Sequence, residues 1–136
     1  MSIFASPRFL RTVLVADAAS GALTALLHLT AAGLLAEFLG LSAGLLVGSG
    51  IVLLFYVAGA AWLANCDPVP RGGTWLLIVA NWMWVGGCVT LLLTGAAGTG
   101  LGQAYLVMQA VAVAALAELQ WFGVRARRTS GSAALA

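Results

Sequence analysis

An all-α integral membrane fold, an antiparallel bundle of four transmembrane helices, is what this sequence predicts, and three observations carry the expectation. The first is composition. Of 136 residues, 62% are hydrophobic and 7% charged, with a mean hydropathy of +1.06. Six basic and four acidic side chains cannot cover the surface of a soluble domain of this length. The second is the recurrence of apolar stretches long enough to cross about 30 Å of hydrocarbon, separated by polar or glycine-rich breaks. The third is the placement of the arginines. Arg8 and Arg11 precede the first stretch, Arg71 lies between the second and third, and Arg125, Arg127 and Arg128 follow the fourth, whereas the other two breaks carry no basic residue. Basic residues accumulate on the cytoplasmic side, so both termini and the segment 65–73 are expected there, in a multi-pass protein of the inner (cytoplasmic) membrane. The absence of lysine, with Ala, Leu and Gly dominant, points to a GC-rich bacterial genome.

Taken in order, the chain reads as a single four-helix domain over 1–136. Ser6 and Pro7 suit a helix entry, the serine as a cap and the proline in the first turn. Helix 1 is expected over 7–38, longer than the roughly 20 residues a perpendicular span needs, so it should tilt or project. A cleavable signal is not expected, because only Thr12 to Ala16 precede Asp17, against an apolar core of roughly 7 to 15 residues in such signals. Gly40 and Ser42 mark a tight turn. Helix 2 is expected over 42–63, with Gly44, Gly48, Phe55 and Gly59 spaced to share a face, the pattern of close helix contact either inside the bundle or with another chain.

The loop 65–73, NCDPVPRGG, holds two prolines and two glycines that interrupt helix. Helix 3 is expected over 74–93, with Trp75 at headgroup level and Trp82 and Trp84 deeper. The glycine-rich stretch 94–102 follows no strand and so is no phosphate-binding loop. Helix 4 is expected over 101–124, and the tail 129–136 should be flexible. Cys66 and Cys88 have neither metal-ligand nor CxxC spacing and are expected to be free thiols. A net charge of +2, confined to chain ends and one loop, argues against nucleic-acid binding.

Within the helices a small polar set stands out. Asp17, Ser20, Gly21, Thr24 and His28 fall on one helical face. Counted from the arginines at 1.5 Å per residue, Asp17, Asn81 and Glu118 all lie roughly 9 to 15 Å deep, at a level that Tyr56 and Gly59 share. A carboxylate in hydrocarbon faces the interior, pairs or takes up a proton. Asp17, Thr24, Asn81 and Glu118, walled by Trp82 and Trp84, therefore form a candidate ligand or ion site. The competing readings are interhelical glue for the polar groups and an interfacial belt for the tryptophans. His28 lies deeper, near the level of Gln109, to which it could hydrogen-bond. It is also the one residue suited to ligate a haem or chlorophyll. No catalytic, metal-binding or nucleotide-binding motif is present in the sequence.

In overall form the chain resembles the small four-helix inner-membrane proteins of bacteria. The four-helix multidrug exporters also carry a carboxylate in helix 1, but the rest of this chain does not match them, and the missing CxxC separates it from the quinone-coupled thiol oxidases. The expectation is a non-enzymatic accessory or scaffold subunit, surrounded by lipid and associating through helix faces with a membrane-protein partner or as a homo-oligomer. The alternatives are a small transporter or channel using Asp17 and Glu118, and a haem- or pigment-binding subunit using His28.

Overall fold

The computed structural model of the chain describes residues 6–133, with residues 7 and 127–133 described by backbone alone. The described residues form five helices and no strand: α1 (Pro7–Thr30), α2 (Ala32–Leu39), α3 (Ala43–Asn65), α4 (Arg71–Leu93) and α5 (Gly100–Ala133). All four long helices, α1, α3, α4 and α5, are long and apolar enough to cross a membrane.

Each boundary has a local cause. Ser6 caps α1 by accepting the Arg8 amide at 3.3 Å, with Pro7 at the first helical position. The stretch expected as one helix over 7–38 is broken at Ala31, whose φ of −123° and ψ of 23° leave the helical region. The Thr30 hydroxyl donates to the Leu26 carbonyl at 2.7 Å, as Thr12 and Thr24 do to carbonyls within unbroken α1, and Gly33 follows within the next turn. Gly40 then ends α2 in the left-handed region at φ 64°, and Ser42 caps α3 by accepting the Leu45 amide at 3.1 Å. The loop expected over 65–73 is shorter, because α4 begins directly after Pro70, so that Arg71, Gly72 and Gly73 form its first turn. At the other end of the chain, helix α5 continues past 124 to Ala133, through part of the tail expected to be flexible; its last residues, 134–136, lie outside the described residues.

Helix α1 packs chiefly on α3 and α4 on α5, with α1 also meeting α5 and α3 touching α4 only slightly. Close approach of α1 and α3 uses two glycines: a Cβ on Gly21 would stand 3.0 Å from Val57, and one on Gly50 2.9 Å from Leu29. Two apolar cores result. One gathers Leu10, Leu14, Ala60, Leu63, Ile78 and Val124 at the end that bears Arg8, Arg11, Arg71 and Arg125. There Arg11 donates to the Cys66 carbonyl at 3.1 Å, satisfying a free carbonyl at the end of α3. The other core gathers Leu39, Leu41, Leu46, Cys88, Ala97 and Leu106 at the opposite end. Here two turns interlock: the Gly98 amide donates to the Gly40 carbonyl at 3.1 Å and the Thr99 hydroxyl to the Phe38 carbonyl at 2.8 Å. Both cysteines are free thiols.

The interlock leaves no room beside Gly102, where an added Cβ would overlap the Leu39 carbonyl oxygen. Gly102→Ala is therefore expected to destabilise the chain by about 1–3 kcal/mol, as overpacking does. Gly33→Ala meets nothing within 4 Å and should leave stability unchanged or raise it. Thermal unfolding of the two variants in mild detergent, followed by circular dichroism, compares them directly.

Candidate functional site

Two polar clusters sit between these cores. The first is built on Asp17, which is 3% exposed although it lies in the middle of an apolar helix. One of its carboxylate oxygens, Oδ2, receives donors from the three other long helices. The Tyr56 hydroxyl of α3 donates to it, as do Asn81 Nδ2 of α4 at 3.0 Å and Gln120 Nε2 of α5 at 2.5 Å. Asn81 and Gln120 are themselves buried. An ionic or strongly polar acceptor removed from water needs such partners, because each one missing leaves an uncompensated desolvation. The Gln120 Oε1 atom is buried with no hydrogen-bond partner among the described residues.

The second cluster surrounds His28, which is also buried. The Ser49 hydroxyl donates its one proton to the Leu46 carbonyl at 2.8 Å, so at 2.8 Å from His28 Nδ1 it acts as acceptor and the ring donates. His28 Nε2 is then the acceptor for the Tyr105 hydroxyl at 2.6 Å, and that hydroxyl accepts from Gln109 Nε2 at 3.0 Å. The chain of donors runs in one direction, Gln109 to Tyr105 to His28 to Ser49, and requires a neutral imidazole with its proton on Nδ1. A longer contact of 3.5 Å joins Gln109 to the Thr24 hydroxyl. Thr24 and Ser20 otherwise donate to backbone carbonyls of α1, so no side-chain path links this cluster to the Asp17 carboxylate.

Two cavities accompany the clusters. One, of about 280 Å³, is lined by Asp17, Thr24, Tyr56, Asn81, Trp84 and Gln109 among others. The second, of about 370 Å³, lies between α3 and α4 with His28, Tyr105 and Gln109 on its wall. Val52, Ala80, Trp84 and Gln109 line both. The Trp84 indole Nε1 at this shared wall is buried and has no hydrogen-bond partner among the described residues.

The residues singled out in the sequence divide accordingly. Asp17 and Asn81 are bonded to each other, and Thr24 and Trp84 line the same cavity as they do. Glu118 and Trp82 are not brought to them. Both are exposed on the outside of α4 and α5, where with Trp75 and Trp121 they line a surface groove. The place at the carboxylate expected for Glu118 is taken by Gln120. His28 reaches Gln109 through Tyr105 rather than directly. Ser49, Tyr105 and Gln120 carry the clusters without having been singled out. For Gln120 a signal existed: with Ala117 and Val124, both buried, it forms an i, i+3, i+7 row on α5 that Glu118 does not share.

No family model, curated protein or solved structure matches the chain, so the arrangement of its own residues carries the functional argument.

Removing the shared acceptor strands three donors, each worth about 1–3 kcal/mol when buried without a partner. Asp17→Ala is expected to lose more than about 3 kcal/mol in stability, and Asp17→Asn, which keeps an oxygen in place, clearly less. Glu118→Gln, on the surface, should stay within about 0.5 kcal/mol of the native chain. Denaturant-induced loss of helix in the three variants ranks them.

Proposed function

We propose that the chain is a small multi-pass protein of a bacterial inner membrane. Its four long helices run antiparallel across the bilayer, with both termini and the α3–α4 loop in the cytoplasm, and it acts as a non-enzymatic accessory or scaffold subunit. The observation that carries this reading is the outer face of α3. Gly44 and Gly48 lie four residues apart on it, both exposed, and a Cβ on either would meet nothing within 4 Å. Glycine inside a helix costs about 1 kcal/mol relative to alanine. Gly21 and Gly50 offset that cost by letting α1 and α3 approach, whereas Gly44 and Gly48 have no partner of this kind among the described residues. Further along the same face stand Phe55 and Trp62, 76% and 65% exposed. Small residues followed by protruding aromatics form a surface for a helix of another molecule, where association in lipid depends on dense packing.

The reading as a transporter or channel draws on the cavity beside Asp17. Against it stand the three donors that hold the carboxylate oxygen and the outward position of Glu118. Ligation of a haem or chlorophyll by His28 would require Ser49 or Tyr105 to release a ring nitrogen.

Native mass spectrometry of the chain released from nanodiscs tests the scaffold reading. The expected masses are those of a homo-oligomer or of a complex with a membrane partner, reduced to the single chain in Gly44→Leu and Gly48→Leu. A native chain that is strictly monomeric and without companions overturns it. Reporter fusions at the two ends, each active only in the cytoplasm, should both give signal.

A further inference from the structure

We propose that the cavity between α3 and α4 is a binding site for a neutral, membrane-dissolved molecule that carries a carbonyl oxygen on a hydrocarbon body, with the Trp84 indole N–H as the donor to that oxygen. The inference rests on the four helices spanning a bilayer and is independent of whether α3 binds a partner.

Four observations lead there. The cavity, at about 370 Å³, falls in the size range of small-molecule sites. Its open side lies along the gap where α3 and α4 touch only slightly: of its lining residues, Val52 and Met83 near the middle of these helices are 62% and 73% exposed, and Leu45 near the start of α3 is 37% exposed. In a bilayer such a mouth opens on hydrocarbon, so what enters is lipid-soluble. The lining is mostly aliphatic and aromatic, with Ser49 and Gln109 among its few polar members and no carboxylate, lysine or arginine, which selects a neutral molecule. The hydrogen-bonding groups on the wall then define the polar part. Ser49 accepts from His28, Tyr105 accepts from Gln109, and the protons of both hydroxyls are already donated. Among the described residues Trp84 Nε1, on a ring that lines the cavity, is a buried donor without a partner. A buried N–H without a partner calls for an acceptor, and a carbonyl oxygen supplies one without a proton that needs a partner in turn.

Two sources share this chemistry, an alkylated quinone and the ester of an acyl lipid. The chain is reconstituted in nanodiscs of ether-linked phospholipid, which has no ester carbonyl, and titrated separately with a decyl-substituted benzoquinone and with dioleoylglycerol. Saturable binding of one molecule per chain is expected for at least one probe, and the probe that binds identifies the source. Trp84→Phe, which keeps an aromatic ring and removes the donor, should weaken binding about tenfold. Gly87→Leu, whose Cβ meets nothing within 4 Å and which lines the cavity, should abolish binding by filling it while leaving the thermal midpoint near native. The proposal is overturned when neither probe binds saturably, or when either variant binds as the native chain does. A chain that fails to enter the nanodisc instead refutes the membrane-spanning reading.

Discussion

All four long helices meet at one oxygen atom. Asp17 supplies it from α1, and Tyr56, Asn81 and Gln120 reach it from α3, α4 and α5. In a lipid environment apolar side chains gain little by turning from lipid to protein, so helix faces of Leu, Val and Ala specify neither rotation nor depth. A buried acceptor does specify both, because a donor that slides one turn or rotates away is left buried without a partner. A single interhelical hydrogen bond in a membrane averages only about 0.6 kcal/mol, so the weight of this junction comes from three donors sharing one acceptor, all of which a change at Asp17 strands at once, and it chooses one packing among many similar ones. The apolar cores at the two ends and the interlocked turns then close around a register already set.

The histidine cluster plays a related part at the other end of the bundle, with a different chemistry. It joins α1, α3 and α5 but leaves α4 out. The consequence is visible in the packing: α4 is held to α5 along its length, yet stands off from α3 where the larger cavity lies. The polar contacts thus determine where the bundle is tight and where it opens, and Trp84 occupies the boundary between the two regimes.

Much of this was legible in the sequence, and the parts that were not share a cause. Hydropathy and the arginine pattern locate the four long helices, and counting residues from the arginines places Asp17 and Asn81 at one level, where they bond. Depth, however, says nothing of rotation. Glu118 and Gln120 differ by about 3 Å in level but by about 200° around the helix, and only the second faces inward. Charge drew attention to the first, whereas the row of buried Ala117, Gln120 and Val124 identifies the second. The break at Ala31 is invisible to hydropathy because the segment stays apolar throughout, and the start of α4 at Arg71 is hidden because its first turn reads as loop glycine. Ser49 and Tyr105 escaped notice because ordinary polar residues acquire their role only from the histidine that the fold brings to them.

The sequence distances within the Asp17 junction also impose an order on biogenesis. Its three donors lie 39, 64 and 103 residues downstream. Synthesis from the N-terminus therefore makes the carboxylate before any of its donors, then the tyrosine, then one amide, and completes the set only once α5 is made. A chain that ends before α5 holds the Asp17 carboxylate with at most two of these three donors. The residue that joins all four long helices is thus fully satisfied only in a chain that includes α5.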